Sequence, residues 1–134
     1  MAERRIFSLI KAGADITVIS PEITKGIERE KLKGKLKHIP RHYKKGDLKK
    51  VFLVISATDS LTINKEVSRD APSLLNVVDS PDLCNFIVPS VFKRGPLTIA
   101  ISTSGVSPAL SRSIRRELER LYGTEFTRYL KSLI

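Results

Sequence analysis

The 134-residue chain has one cysteine, no tryptophan and only 6% aromatic residues. A single thiol, Cys84, excludes any internal disulfide, which fits a reducing compartment. No apolar run approaches the ~20 residues that a membrane-spanning helix needs, and the opening residues lack a basic-then-apolar targeting pattern. We therefore expect a soluble, cytoplasmic protein with no membrane association. The two histidines, His38 and His42, flank Pro40 and make no convincing metal pair. Internal repeats and low-complexity linkers are lacking, and the length suits one domain or one domain with a small appendage.

Basic charge is plentiful. Lysine and arginine number 24 against 14 acidic residues, a net charge of +10 that attracts polyanions. The excess lies in two blocks: residues 25–50 carry +8 and residues 93–134 carry +5, around a middle stretch of −3. The first block centres on Lys31-Leu32-Lys33-Gly34-Lys35-Leu36-Lys37. It could serve as a footprint for nucleic acid, yet only Tyr43 stands near it for base stacking. Lysines also blunt exposed strand edges, so a solvated turn and edge strand is the simpler reading.

Apolar spacing predicts a helix over Ala2–Ala12, ended by Gly13, then a short strand at Ile16–Ile19 stopped by Ser20-Pro21. A second helix is expected over Glu22–Glu30, a polar strand over Lys35–Tyr43 and a strong strand at Val51–Ala57. Asp59 or Ser60 can cap a helix running to Asp70, and Leu74–Val78 reads as another strand. Apolar strands alternating with helices indicate an α/β fold, a Rossmann-like parallel sheet covered on both faces. The rhythm then changes. Phe86–Phe92 and Pro96–Ser102 read as antiparallel strands around Lys93-Arg94-Gly95. Ser107-Pro108 opens a helix with Leu110, Ile114, Leu118 and Leu121 on one stripe, and a final helix carries Phe126, Tyr129, Leu130 and Leu133. The expected division is 1–80 and 81–134.

Candidate functional groups sit at strand ends. Thr58 and Asp59 follow a strand at the position where open α/β sheets bind ligands, although capping alone explains Asp59. Asp79 ends the next strand, where a carboxylate can take a proton from a substrate or simply close an Asx turn before Ser80-Pro81. Ser102, Thr103, Ser104, Gly105, Val106 and Ser107 lead into a helix amino terminus, an anion-binding geometry that is also an ordinary capped connector. Arg112, Arg115, Arg116 and Arg120 could meet carboxylates or form a solvated face. Cys84 has no local base and reads as packing.

Ile55-Ser56-Ala57-Thr58-Asp59 with Asn64, Asn76-Val77-Val78-Asp79-Ser80-Pro81, Phe86-Ile87-Val88-Pro89-Ser90, Gly95-Pro96-Leu97 and Ile101–Pro108 together resemble the precorrin-2 dehydrogenase family. That family also forms the dehydrogenase–chelatase module of siroheme synthases, and the similarity runs from Ala2 to about Gly123. The resemblance implies NAD-dependent oxidation of precorrin-2 to sirohydrochlorin, with ferrous iron insertion in some members, and a homodimer formed through the section from Phe86 onward. It implies that Asp79 is the proton-handling residue and that Asn76, Ser102, Thr103, Ser104, Gly105 and Ser107 lie by the tetrapyrrole. The macrocycle's eight carboxylates suit a basic protein. A tetrapyrrole-binding or chelatase protein without dehydrogenase activity is the alternative, and a nucleic-acid-binding domain ranks last.

Family members carry an apolar strand and a glycine-rich turn before the equivalent of Ala2, and the sequence in hand starts at Met1. Either the start was assigned too late and the chain is roughly 20 residues longer, one strand plus its turn, or a short form has lost ordinary cofactor binding. The cost of unpaired buried backbone favours the first. The remaining expected cofactor contacts are Met1 and Ala2 at the helix amino terminus, Ser20, Pro21 and Glu22 after the next strand, and Thr58 and Asp59.

Overall fold

The computed structural model describes residues 2–133 and divides into two units, Met1–Cys84 and Asn85–Ile134. In the first, α1 (Ala2–Lys11) leads through Gly13, at φ +77°, into β1 (Thr17–Ile19), α2 (Lys25–Leu32) and β2 (Lys37–Ile39). The α2 helix starts later than expected because Thr24 supplies the cap. Its Oγ1 accepts from the Ile27 amide at 3.3 Å and donates to Glu3 Oε2 at 2.9 Å, tying α2 to the first turn of α1. The strand expected over Lys35–Tyr43 contracts to Lys37–Ile39, since Pro40 has no N–H to offer the ladder. Ile6, Ile16, Ile27 and Leu36 close the core of this half.

The second half of the unit is a β-α-β crossover: β3 (Leu53–Ser56), α3 (Leu61–Asp70) and β4 (Leu74–Val77). Both strand pairs are parallel, with Thr17 opposite Lys37 and Leu53 opposite Leu74. The single expected sheet is thus present as two parallel ladders, β1–β2 and β3–β4, each with its own core. Val54, Val67, Leu75 and Val77 form the second core, each under a tenth exposed. The lysine block falls on the end of α2, a turn at Gly34 and the edge strand β2, with Lys33 paired to Glu30 at 2.7 Å. In the loop before β3, Arg41 grips Asp47 with two bonds of 2.7 Å, and the Lys44 amide donates to the same carboxylate at 2.8 Å.

The second unit holds an antiparallel hairpin, β5 (Ser90–Arg94) and β6 (Leu97–Ile101), followed by α4 (Pro108–Leu121) and α5 (Thr124–Ser132). The turn is Gly95-Pro96 rather than one centred on Arg94, because Gly95 supplies the positive φ of +56° that a two-residue hairpin loop needs. Arg94 stays in the strand and donates from Nε to the Tyr122 carbonyl at 3.0 Å, satisfying the carboxyl end of α4. Phe92 is buried under this arrangement.

Candidate nucleotide and substrate site

The carboxyl ends of two adjacent parallel strands leave a crevice where their following loops diverge. Here β3 and β4 end beside a cavity of about 550 Å³, lined by Thr58, Asp59 and Asn64 from the β3 side and by Val78, Asp79 and Ser80 from the β4 side. Ala2, at the start of α1, lines it as well, so the helix's first turn brings N–H groups that have no intrahelical acceptor.

The loop after β3 is held from below. Asn64, on the buried face of α3, accepts from Ser56 Oγ at 2.8 Å and donates from Nδ2 to the Thr58 carbonyl at 3.1 Å. Thr58 Oγ1 accepts from the Ser60 amide at 2.9 Å. Ser60, not Asp59, caps α3, taking the Ile63 amide at 3.3 Å. Asp59 is consequently exposed on the cavity wall with its carboxylate uncommitted to capping.

Asp79 follows β4 and adopts φ +60°, one of three non-glycine residues with positive φ among those described. That conformation is costly for a residue with a Cβ, and aspartate tolerates it better than most. The turn is closed by the Ser80 amide on the Val77 carbonyl at 3.3 Å, and the Val78 amide reaches across the ladder to the Ser56 carbonyl at 2.8 Å. The Asp79 side chain is thereby exposed at the cavity rather than buried in the strand.

The cavity brings together four of the residues anticipated from the sequence: Ala2, Thr58, Asp59 and Asp79. Met1 lies outside the described residues. Ser20, Pro21 and Glu22 follow β1 and do not line the cavity. Ser20 Oγ donates to the Glu22 carbonyl at 2.5 Å and the Ser20 carbonyl meets His38 Nε2 at 2.8 Å, which fixes this turn at the end of the other ladder. Asn76 is buried within β4, its Nδ2 3.7 Å from Cys84 Sγ. The remaining substrate candidates lie in the second unit. There Thr103 Oγ1 accepts from the Ser107 amide at 3.0 Å and stands 3.2 Å from Ser111 Oγ. Ser107 caps α4 through Leu110 at 3.2 Å, and Ser102 Oγ takes the Ser104 amide at 3.2 Å. Ser104 and Gly105 both have positive φ, and a Cβ on Gly105 would press on Ile87 at 3.0 Å. Arg115 pairs with Glu119, whereas Arg112, Arg116 and Arg120 are exposed. Asn64 was visible only as part of a motif; the signal for its role is a polar residue between Ile63 and Val67 on the core side of α3. Among the described residues no group of three or more His, Cys, Asp or Glu side chains could hold a metal.

Comparison with known proteins agrees with this geometry. Residues 1–90 match the family described as "Putative NAD(P)-binding", and residues 94–121 match the one described as "Sirohaem biosynthesis protein central". The chain is 39% identical over 131 residues to the siroheme synthase of Methylobacillus flagellatus, covering 96% of this chain and 28% of the relative. It is 40% identical over 124 residues to that of Ruthia magnifica subsp. Calyptogena magnifica, covering 89% and 26%. The solved structure of SirC, a precorrin-2 dehydrogenase, superposes with a TM-score of 0.89 at 35% identity, covering 97% of this chain and 65% of that one. The chain spans about a quarter of the siroheme synthases it matches. With residues 1–90 on that model, the chain belongs to the family described as putative NAD(P)-binding, and its hairpin-to-α4 segment is similar to the sirohaem biosynthesis one.

Proposed function

We propose that this chain catalyses the NAD-dependent oxidation of precorrin-2 to sirohydrochlorin in siroheme biosynthesis, in the cytoplasm. The observation that carries the reading is the placement of Asp79: an exposed carboxylate on a left-handed turn, at the rim of a crevice between parallel strand ends. The cavity suits a dinucleotide in chemistry, with the first-turn N–H groups of α1 available to an anion and the Thr58 and Asp59 side chains to hydroxyls. When bound, NAD accepts the hydride that leaves the macrocycle. The substrate loses two electrons and two hydrogens; one departs as hydride, the other as a proton. Asp79 takes that proton, and the Asn64 scaffold beneath Thr58 holds the opposite wall in place.

A net charge of +10 draws the polycarboxylated substrate toward the protein. Residues 1–80 then serve the nucleotide, while 81–134 serve the tetrapyrrole and a homodimer contact. Support for the dimer is the apolar surface of the second unit, where Leu110, Leu121, Tyr129 and Leu133 are each at least half exposed. The test is anaerobic turnover of precorrin-2 with NAD. We expect equal amounts of NADH and sirohydrochlorin from the unaltered chain. For Asp79→Ala we expect a rate lower by about 10²-fold or more with the fold and NAD binding retained. Unchanged turnover in Asp79→Ala overturns the assignment; binding of sirohydrochlorin with no binding of NAD selects a tetrapyrrole-binding protein without dehydrogenase activity.

A further inference from the structure

Strand backbones point successive N–H groups to opposite sides. Because the Val78 amide is bonded to Ser56 on β3, the Val77 amide must point away from β3, toward the side of β4 where, among the described residues, the ladder has no further strand. Val77 is nonetheless 2% exposed, so this N–H cannot rely on water. Its acceptor is the Cys84 sulfur, at 3.1 Å. The same sulfur lies 3.3 Å from the Val77 carbonyl and 3.4 Å from the Ser80 carbonyl, and its one proton can serve either in turn.

Between these anchors lie only Val78 and Asp79. The chain leaves β4, passes through Asp79 at φ +60°, and makes a single 3-10 turn over Pro81–Leu83, with the Leu83 amide on the Ser80 carbonyl at 3.1 Å and the Cys84 amide on the Pro81 carbonyl at 3.0 Å. That turn delivers the thiol into the concave side of the loop, where it meets both ends of the segment that presents Asp79. A left-handed aspartate persists only if its surroundings hold it there.

We infer that Cys84 is a positioning residue for Asp79: its thiol substitutes for a neighbouring strand on β4 and locks the turn that aims the carboxylate into the cavity. The inference rests on the reading of Asp79 as the proton-handling residue. What the lock supplies is hydrogen bonding, so it is distinguishable from filling space. Cys84→Val keeps apolar volume and removes both donor and acceptor; Cys84→Ser keeps both.

The experiment measures steady-state turnover of precorrin-2 with NAD, together with amide hydrogen exchange, for Cys84→Val, Cys84→Ser and Asp79→Asn in the full chain. We expect kcat to fall about tenfold or more in Cys84→Val, with KM for NAD within about threefold of the unaltered chain. Cys84→Ser should stay within about threefold in kcat. Exchange at the Val77 and Ser80 amides should quicken about a hundredfold in Cys84→Val while the Val54 amide on β3 keeps its protection. A Cys84→Val protein with full kcat beside an inactive Asp79→Asn overturns the positioning role and leaves Asp79 standing. Undiminished turnover in Asp79→Asn overturns the reading of Asp79 and this inference with it. Unchanged exchange at Val77 in Cys84→Val refutes the lock directly, whatever the activity.

Discussion

Asn64 offers the sharpest test of how the β3 wall of the site is built. It is 4% exposed and Ser56 is 5% exposed, so the bond between them at 2.8 Å is formed out of water, as is most of the bond from Asn64 Nδ2 to the Thr58 carbonyl at 3.1 Å. Asn64→Ala removes both and leaves the Ser56 hydroxyl and the Thr58 carbonyl short of a partner. Each orphaned buried group costs about 1 kcal/mol or more, and the vacated space adds to it, for a loss of about 3 kcal/mol. In urea unfolding that corresponds to a midpoint lower by about 1–2 M for a protein of this size. The pair should couple: adding Ser56→Ala to Asn64→Ala should cost about 1 kcal/mol less than the sum of the single losses, because the second change removes a group already orphaned. NAD affinity should drop about tenfold as Thr58 loses its support. A stability within about 0.5 kcal/mol of the unaltered chain, or strict additivity of the two substitutions, would refute the scaffold.

Three further outcomes can be measured. Bonds from Arg41 hold the Asp47 carboxyl down to about 2 from its usual 3.8, so its stabilising contribution is present above the usual value and is lost as pH falls through about 2. The stability gap between the unaltered chain and Asp47→Asn should therefore narrow on acidification between these values, by urea unfolding at each pH. At the other end of the scale, burial and the neighbouring Asp70 push the Tyr43 hydroxyl well above its usual 10.0. Its contribution is complete below that value and is lost as pH rises toward the raised one, a loss that Tyr43→Phe should abolish. In sedimentation, Leu121→Glu combined with Tyr129→Glu should convert a dimer to monomer; an unaltered sedimentation coefficient would rule out this face as the contact.

Much of the fold could be read from local chemistry. The β3 run Val51–Ala57 was plain, but Phe52 is 73% exposed and the ladder starts only at Leu53. Ser60 and Ser107 announced α3 and α4 because a hydroxyl before an amphipathic run satisfies amides that helices leave open. The helix expected from Glu22 starts later because the cap is Thr24, whose second bond goes to Glu3, distant in sequence. The partition into two ladders is a matter of which strands pair, and apolar runs carry no such information. At the site, the place of Asp79 at a strand end was legible, whereas its left-handed backbone was not. Cys84 read as packing, and it does pack against the second core, but its hydrogen bonds to Val77 and Ser80 were hidden because those partners become neighbours only once the turn has formed.

The most direct measurement is a single anaerobic assay that follows NADH absorbance and sirohydrochlorin formation together, for the unaltered chain and for Asp79→Ala, with NAD binding measured on both. The account predicts one NADH for each sirohydrochlorin from the unaltered chain, and a variant that is folded and binds NAD yet is nearly inert. Equal rates from the two proteins would contradict it.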